Sequence, residues 1–175
     1  RRYTRDGYLA LVRQLRAAVP EIALSTDIIV GFPGETNEDF EQTLDLVREG
    51  QFHAMYSFKY SPRPNTLARK RLPDNVPEAE KTRRIMALQA LQGDIQRDLY
   101  QAALGSTVDV LVDSTSRRRA WELAGRTSGN TVVNFPGPRE WLGLVVPVRI
   151  IGAGPNSLRG EPARAPAPVE AGRAD

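Results

Sequence analysis

The chain has 175 residues, of which 41% are hydrophobic and 26% charged, so it is long enough and apolar enough to bury a core. It contains no cysteine, which excludes disulfides and thiolate ligation of an iron–sulfur cluster by these residues. No apolar run is long enough to cross a membrane, and the formal net charge is +3. The basic surplus begins after residue 58 and favours a polyanionic partner such as RNA, although an ordinary solvated surface explains it equally well.

The first two predicted elements are a helix and a strand. Apolar residues recur at helical spacing over residues 8–19, with Thr4 or Asp6 as the predicted N-cap and Pro20 as the end of the helix. The apolar run at 22–30 is too short for a stable helix and rich in β-branched residues. This composition predicts a strand buried on both faces, as in a parallel sheet.

A sharp turn follows that strand and leads into a second helix. Gly31, Pro33 and Gly34 interrupt the apolar run, and Thr36 is the predicted N-cap, with Asp39 at the capping-box position. In open α/β sheets and barrels, ligands bind at the carboxyl ends of the strands. This turn is therefore the first candidate for a binding site.

The next segment continues the alternation of helices and strands. The second helix is predicted over about 37–49, and aromatic residues with alternation at 52–60 predict another strand. Strands joined by a helix at this spacing indicate a βαβ unit with parallel strands. Prolines make 61–75 a predicted loop, and a long helix is predicted from Pro77 to near Gly105.

The hydrophobic period changes to two after residue 105. Short predicted strands begin at Val108 and recur at 121–126, 131–135, 145–150 and 157–160, separated by turn-forming residues. Such a series predicts a small β-barrel. Residues 163–175 are rich in Ala and Pro and are predicted to be a disordered tail.

Two stretches carry a resemblance to a known family. Residues 26–36, Thr-Asp-Ile-Ile-Val-Gly-Phe-Pro-Gly-Glu-Thr, resemble the fifth strand and turn of the radical S-adenosylmethionine methylthiotransferases. Residues 56–64, Tyr-Ser-Phe-Lys-Tyr-Ser-Pro-Arg-Pro, resemble the sixth strand and its loop. The motif is closest to that of the tRNA-modifying branch of the family. Two short motifs resemble the TRAM domain, an RNA-binding barrel at the end of these enzymes. They are Gly125-Arg126-Thr127 and Leu158-Arg159-Gly160-Glu161.

The resemblance implies an α/β plus all-β fold in three parts. Residues 1–104 are expected to form the C-terminal part of a partial parallel (β/α) barrel with a long connecting helix. Residues 105–162 are expected to form a small antiparallel, OB-like TRAM barrel, and 163–175 the tail.

The implied activity is methylthiolation of C2 of N6-dimethylallyladenosine next to the anticodon of a tRNA. The family uses S-adenosylmethionine and two [4Fe–4S] clusters, whose ligands are expected in a missing N-terminal part because this chain has no cysteine. The chain alone is therefore expected to be inactive. The implied partner is the tRNA anticodon stem-loop, and the implied compartment is the cytoplasm.

Several side chains are candidates for the cofactor site that the resemblance implies. Ile29 would contact the adenine, Gly31 would allow its close approach, and Tyr60 or a neighbour would contribute from the sixth strand. Asp27 is a carboxylate in an apolar strand, so it needs a ligand or a structural partner.

Arginines are the candidates for RNA contact. Arg63 lies between two prolines, which would fix the place of its guanidinium. Arg117, Arg118 and Arg119 precede Trp121, a combination that proteins use to hold phosphates and stack bases. We expect RNA contact from these arginines and packing from Trp121. Two weaker candidates are Arg126 and Arg139.

Two other functions remain open on this sequence. A sibling methylthiotransferase would act on threonylcarbamoyladenosine in tRNA or on ribosomal protein S12. The Tyr-Ser-Pro-Arg-Pro motif argues against the ribosomal substrate. A non-catalytic RNA-binding module is compatible with the absence of cysteine.

Overall fold

The structure, a computed structural model, describes residues 4–116, 119 and 121–166. Its contacts divide the chain into two units, Arg1–Gln96 and Arg97–Asp175. The division lies inside a long helix at Glu78–Ala102, whereas the sequence places the domain boundary after residue 104. Residues 167–175 of the predicted tail lie outside the described residues.

Side-chain caps start the first two helices where the sequence predicts. Helix α1 spans Arg5–Ala18, and the Thr4 hydroxyl accepts a hydrogen bond from the Gly7 amide at 3.2 Å. Helix α2 spans Asn37–Gly50. The Thr36 amide donates to the Asp39 carboxylate at 2.9 Å, and the Asp39 amide donates to the Thr36 hydroxyl at 3.1 Å. These bonds confirm the capping box, and the bond from the Thr36 amide lowers the pKa of Asp39.

The predicted βαβ unit is confirmed. Strands β1 (Ser25–Val30) and β2 (Ala54–Lys59) pair in parallel, with Ser25 opposite Ala54 and Val30 opposite Lys59. Helix α2 connects them. A short helix, α3 (Leu67–Arg71), lies within the predicted loop, and α4 spans Glu78–Ala102.

The prediction that the first strand is buried on both faces is wrong. The strand begins at Ser25 rather than near residue 22, and in β1 only Val30 is buried. Ile29 on β1 and Tyr56 and Phe58 on β2 share one face and are 55%, 60% and 53% exposed. No further layer covers that face among the described residues of this unit, so it stays open to solvent.

Apolar side chains from the helices, from β1 and from two connecting segments form the core of the first unit. Helix α4 places a mixed stripe on this core at spacings of three and four residues, in which charged Lys81 and Arg84 precede Leu88. The buried apolar side chains of the unit are Leu9, Val12, Val30, Phe40, Leu44, Val47, Phe52, Val76, Leu88 and Ile95.

Arg84 joins α4 to the turn before α2. Its guanidinium lies 2.8 Å from a Glu80 oxygen, 3.0 Å from a Glu35 oxygen and 3.1 Å from the Asn37 amide oxygen. The Arg84 side chain is 4% exposed, so these three partners replace the water that its charge loses. Hydrogen bonds from Arg83 first and Arg84 second lower the pKa of Glu80 to about 2.

The second unit contains a closed five-stranded barrel. Its strands are β3 (Thr107–Thr115), β4 (Glu122–Thr127), β5 (Val132–Pro136), β6 (Val145–Ala153) and β7 (Leu158–Pro162), in the order β3-β4-β5-β7-β6. A 3₁₀ helix at Arg139–Trp141 precedes β6. The predicted small barrel is confirmed.

The barrel is mixed rather than wholly antiparallel. Strand β7 pairs in parallel with β5 and antiparallel with β6, because it lies between two strands that run in opposite directions. Inward side chains fill the barrel, as the period of two predicts. They are Val110, Val112, Leu123, Val133, Phe135, Val146, Val148, Ile150 and Leu158.

Within the described parts of the chain, no helix is both long and apolar enough to span a membrane.

We predict that ionised Glu80 stabilises the first unit at neutral pH and that acid removes this contribution. Its pKa of about 2 lies below the ordinary 4.5, so the ionised carboxylate stabilises the fold above pH 4.5 and this contribution disappears as the pH falls toward 2. Thermal melts of wild type and Glu80→Gln should therefore differ most above pH 4.5 and converge near pH 2. Glu38→Gln, at an exposed position of α2, is the control. A difference that grows as the pH falls would contradict this.

Candidate functional site

The carboxyl ends of β1 and β2 form the first candidate site. The Tyr60 amide donates to the Val30 carbonyl at 2.8 Å, which places Tyr60 beside the turn that begins at Gly31. The Phe32 ring meets the Tyr60 ring edge-on, with centroids 5.1 Å apart. The turn after β1 and the loop after β2 are therefore packed together, as expected for neighbouring parallel strands.

Lys81 occupies the space next to Gly31. A Cβ atom on Gly31 would lie 2.4 Å from Lys81 Cγ, and the side chain of Lys81 is 4% exposed. Its Nζ lies 2.7 Å from both Asp74 carboxylate oxygens, 3.5 Å from the Tyr60 carbonyl and 5.5 Å from the Tyr60 ring centroid. The close approach at Gly31 is thus made by a lysine of α4. Lys81 was not among the residues predicted for this site, although it lies on the stripe of Leu88.

Asp27 and Ile29 line a cavity of about 480 Å³ along the outer edge of β1. Asp27 is exposed, so its carboxylate avoids the cost of burial that its position in an apolar run suggested. The other lining residues come from the start of α1, from β1 and from α2, namely Thr4, Arg5, Tyr8, Ser25, Thr26, Ile28, Thr43 and Leu46.

Tyr60 lines a different cavity of about 550 Å³, together with Lys81, Asp74 and Phe58. The structure therefore places Gly31 and Tyr60 side by side and sets Asp27 and Ile29 along the edge of β1. Their role in binding a cofactor stays a prediction.

Metal-binding side chains do not converge within the described residues, where no group of three His, Cys, Asp or Glu could hold an ion. His53, the only histidine of the chain, is half-buried. Its burial lowers its pKa most, and the nearby positive charge of Arg16 lowers it further.

The second candidate site is a polar groove of about 560 Å³ on the barrel. The ends of β3, β4 and β5 and the segment before β7 line it. It contains the arginines Arg119, Arg126 and Arg159, the carboxylates Asp113 and Glu122, and the amides Asn134 and Asn156. Its other lining residues are Ser114, Thr115, Ser116, Ala124, Gly125, Val132, Pro155 and Ser157.

Carboxylates and an amide orient two of the groove arginines. Arg119 lies 2.8 Å from a Glu122 oxygen, and Arg126 lies 3.5 Å from Asp113 and donates to the Asn130 side chain at 2.9 Å. Both arginine side chains remain about half-exposed, at 45% and 50%. Each can therefore meet an incoming phosphate without first being drawn out of the barrel.

The structure places the predicted RNA-binding arginines at different positions relative to the groove. Arg119 and Arg126 line the groove, whereas Arg139 is exposed outside its lining. Arg117 and Arg118 lie outside the described residues. Arg63 is exposed in the first unit, where its carbonyl accepts a hydrogen bond from the Thr66 hydroxyl at 2.9 Å.

Trp121 and Arg159 differ from what their sequence context predicted. Trp121 is 67% exposed, so the expectation that it packs in the core is wrong. Arg159 was not predicted as an RNA contact, yet it lines the groove. It points outward between buried Leu158 and Gly160, and this alternation was a signal for its place on the surface.

Comparison with known proteins defines the class of the second unit. Residues 101–163 match the model of the TRAM domain, and the closed barrel occupies the same stretch. The second unit therefore contains a TRAM domain.

Most of the chain resembles particular enzymes of tRNA modification, and the expected resemblance to the methylthiotransferases is confirmed. It is 48% identical over 160 residues to the tRNA-2-methylthio-N(6)-dimethylallyladenosine synthase of Yersinia pestis (strain Pestoides F), covering 91% of this chain and 34% of that protein. The proteins of that name from Syntrophotalea carbinolica and Salmonella enteritidis PT4 are 45% and 46% identical, over 92% and 94% of this chain and 36% and 34% of theirs. The chain thus spans about a third of the length of these curated relatives.

We predict that the close contact between Gly31 and Lys81 makes an alanine substitution at Gly31 more destabilising than one at Gly34. Gly31 and Gly34 both have positive φ, at 72° and 85°, but no atom lies within 4 Å of a Cβ built on Gly34. Gly34→Ala should cost about 1–2 kcal/mol of unfolding free energy from the backbone alone. Gly31→Ala should cost more, because its methyl group also displaces Lys81. Urea denaturation measures both, and equal costs would show that Lys81 does not constrain the turn.

Proposed function

We propose that this chain is the C-terminal part of a tRNA methylthiotransferase that acts on C2 of N6-dimethylallyladenosine next to the anticodon. In this proposal the barrel holds the tRNA and the strand ends contribute to the S-adenosylmethionine pocket. The observation that supports this proposal most directly is a groove with three arginines on a TRAM barrel. The chain that contains it is 48% identical to a tRNA-2-methylthio-N(6)-dimethylallyladenosine synthase.

The position of the groove supports RNA binding. Five-stranded OB-type barrels bind oligonucleotides on the face of their second and third strands, between the first and the last connecting loops. Here those strands are β4 and β5, and the loops are the one that carries Arg119 and the one at 154–157, all of which contribute to the groove. The arginines suit phosphates, while Asn134, Asn156 and the serine hydroxyls suit ribose and base edges. We propose the anticodon stem-loop as the partner.

The exposed sheet face supports a role in cofactor binding. Ile29, Tyr56 and Phe58 present an apolar surface that suits a flat nucleobase, and Asp27 supplies a hydrogen-bond acceptor on the same face. These residues would hold the adenosine of S-adenosylmethionine, which when bound supplies the radical and methyl-transfer chemistry of the reaction. Lys81 and Asp74 would hold the neighbouring turn in place.

The iron–sulfur clusters do not fit the residues of this chain. Their protein ligands are cysteine thiolates, and the sequence has none. We propose that these ligands belong to the rest of a longer polypeptide, which also pairs with the open edges of the two-stranded sheet and makes the enzyme active. The threefold greater length of the relatives supports this. The compartment would be the cytoplasm.

A non-catalytic RNA-binding module is the second candidate, favoured by the lack of cysteine in a chain with a self-contained barrel. The gene upstream of Arg1 distinguishes the two. A Cys-x-x-x-Cys-x-x-Cys motif there would support the enzyme, and a start codon at that point would support the module.

We predict that the groove arginines bind the phosphates of the RNA. Arg126→Gln with Arg159→Gln should weaken binding of an anticodon stem-loop RNA and reduce the slope of log K against log salt by roughly 0.7–0.9 for each phosphate that is no longer neutralised. The charge-matched control is Arg139→Gln with Arg149→Gln, two exposed arginines outside the groove lining. Affinity is measured by fluorescence anisotropy over a salt series. Equal reductions of affinity in the two double variants would place the phosphates elsewhere on the barrel.

A further inference from the structure

Trp121 is the most exposed aromatic side chain among the described residues, at 67%. It lies in the loop between β3 and β4, immediately before β4 begins at Glu122. An indole is a large apolar group, and leaving it in water forgoes a stabilisation that burial would provide. Trp141, the other tryptophan, is only partly exposed and packs against the barrel core, so the two have different surroundings.

Described residues near Trp121 are hydrogen-bonded to one another. The Glu122 amide donates to the Arg119 carbonyl at 3.0 Å, and the Ser116 amide donates to the Glu122 carbonyl at 2.7 Å. The Arg119 side chain also bonds to the Glu122 carboxylate. These bonds fix the described backbone at Glu122, the residue that follows Trp121.

The described lining of the groove offers no flat apolar surface. It consists of arginines, carboxylates, amides, hydroxyls and small apolar groups, with no aromatic ring. Such a lining can bind phosphates and hydroxyls, but among the described residues its flat groups are guanidinium planes and amides rather than aromatic rings. Trp121 adjoins Glu122 along the chain and lies two residues from Arg119, and both of these line the groove.

We propose that Trp121 is a stacking platform for an unpaired base of the RNA that the groove holds. The ligand class is thus loop or single-stranded RNA rather than a fully paired stem, because a paired base keeps its faces covered by its neighbours. The inference rests on the proposed RNA-binding function. The charge beside the indole favours RNA over a protein partner, since three arginines outnumber the two carboxylates Asp113 and Glu122 in the groove lining.

The two tryptophans allow the proposal to be tested by fluorescence in the 175-residue chain. Trp141→Phe leaves Trp121 as the only indole, and Trp121→Phe leaves Trp141. Each variant is titrated with an anticodon stem-loop RNA and with the same RNA made abasic at its loop nucleotides. We expect the emission of Trp121 to be quenched by the RNA that carries loop bases and not by the abasic RNA. The emission of Trp141 should not change with either.

Affinity provides the second measurement. Trp121→Ala should weaken binding of the stem-loop by roughly 5- to 150-fold, the fold-change that corresponds to one stacked base, whereas Trp121→Phe should retain most of the affinity. Because the side chain is exposed, neither substitution should lower the melting temperature.

The outcomes separate this inference from the function on which it rests. Wild-type affinity in Trp121→Ala, with unchanged Trp121 emission at saturating RNA, overturns the stacking role while the groove variants can still lose binding. Equal affinity for the abasic and the intact loop also overturns it. An absence of RNA binding by the wild-type chain overturns the proposed function itself.

Discussion

Closure of the five-stranded barrel is the constraint on which the candidate RNA interface depends. Strand β7 lies between β5 and β6, and its parallel pairing with β5 sets Asn134 opposite Arg159 in the groove. On the other side, β3 and β4 approach so closely that a Cβ atom on Gly125 would lie 2.3 Å from the Leu111 carbonyl oxygen. The groove residues therefore come from segments far apart in the sequence, and only the closed barrel assembles them.

The elements of the fold and the parallel pairing of β1 with β2 followed from local patterns, but the strand partners within the barrel did not. Capping side chains such as Thr36 and Asp39 act within one helical turn, and inward strand residues repeat with a period of two, so both were visible in the sequence. The parallel pairing of β5 with β7 was not visible, because no local pattern records which distant strands meet. The burial of β1 was overestimated for the same reason, since the layers that cover a strand lie elsewhere in the chain.

The candidate sites show the same limit at single residues. Lys81 and Arg84 continue the apolar stripe of α4 toward its start, and they are buried because Asp74, Glu35 and Glu80 neutralise them. Their spacing relative to Leu88 was visible in the sequence, but the acidic partners that allow them to be buried were not. Trp121 is the opposite case, since its apolar character suggested the core while the strand begins one residue later and leaves the indole outside.

The central claim, that RNA binds the groove of the barrel, is tested most directly by mapping the contact surface. Backbone amide chemical shifts of the 175-residue chain would be followed by NMR while an anticodon stem-loop RNA is added. The account predicts the largest changes at Gly125, Arg126, Asn134, Ser157 and Arg159. Changes confined to the β3–β6 wall, at Asp109, Val145 and Arg149, with the groove amides unmoved, would contradict it.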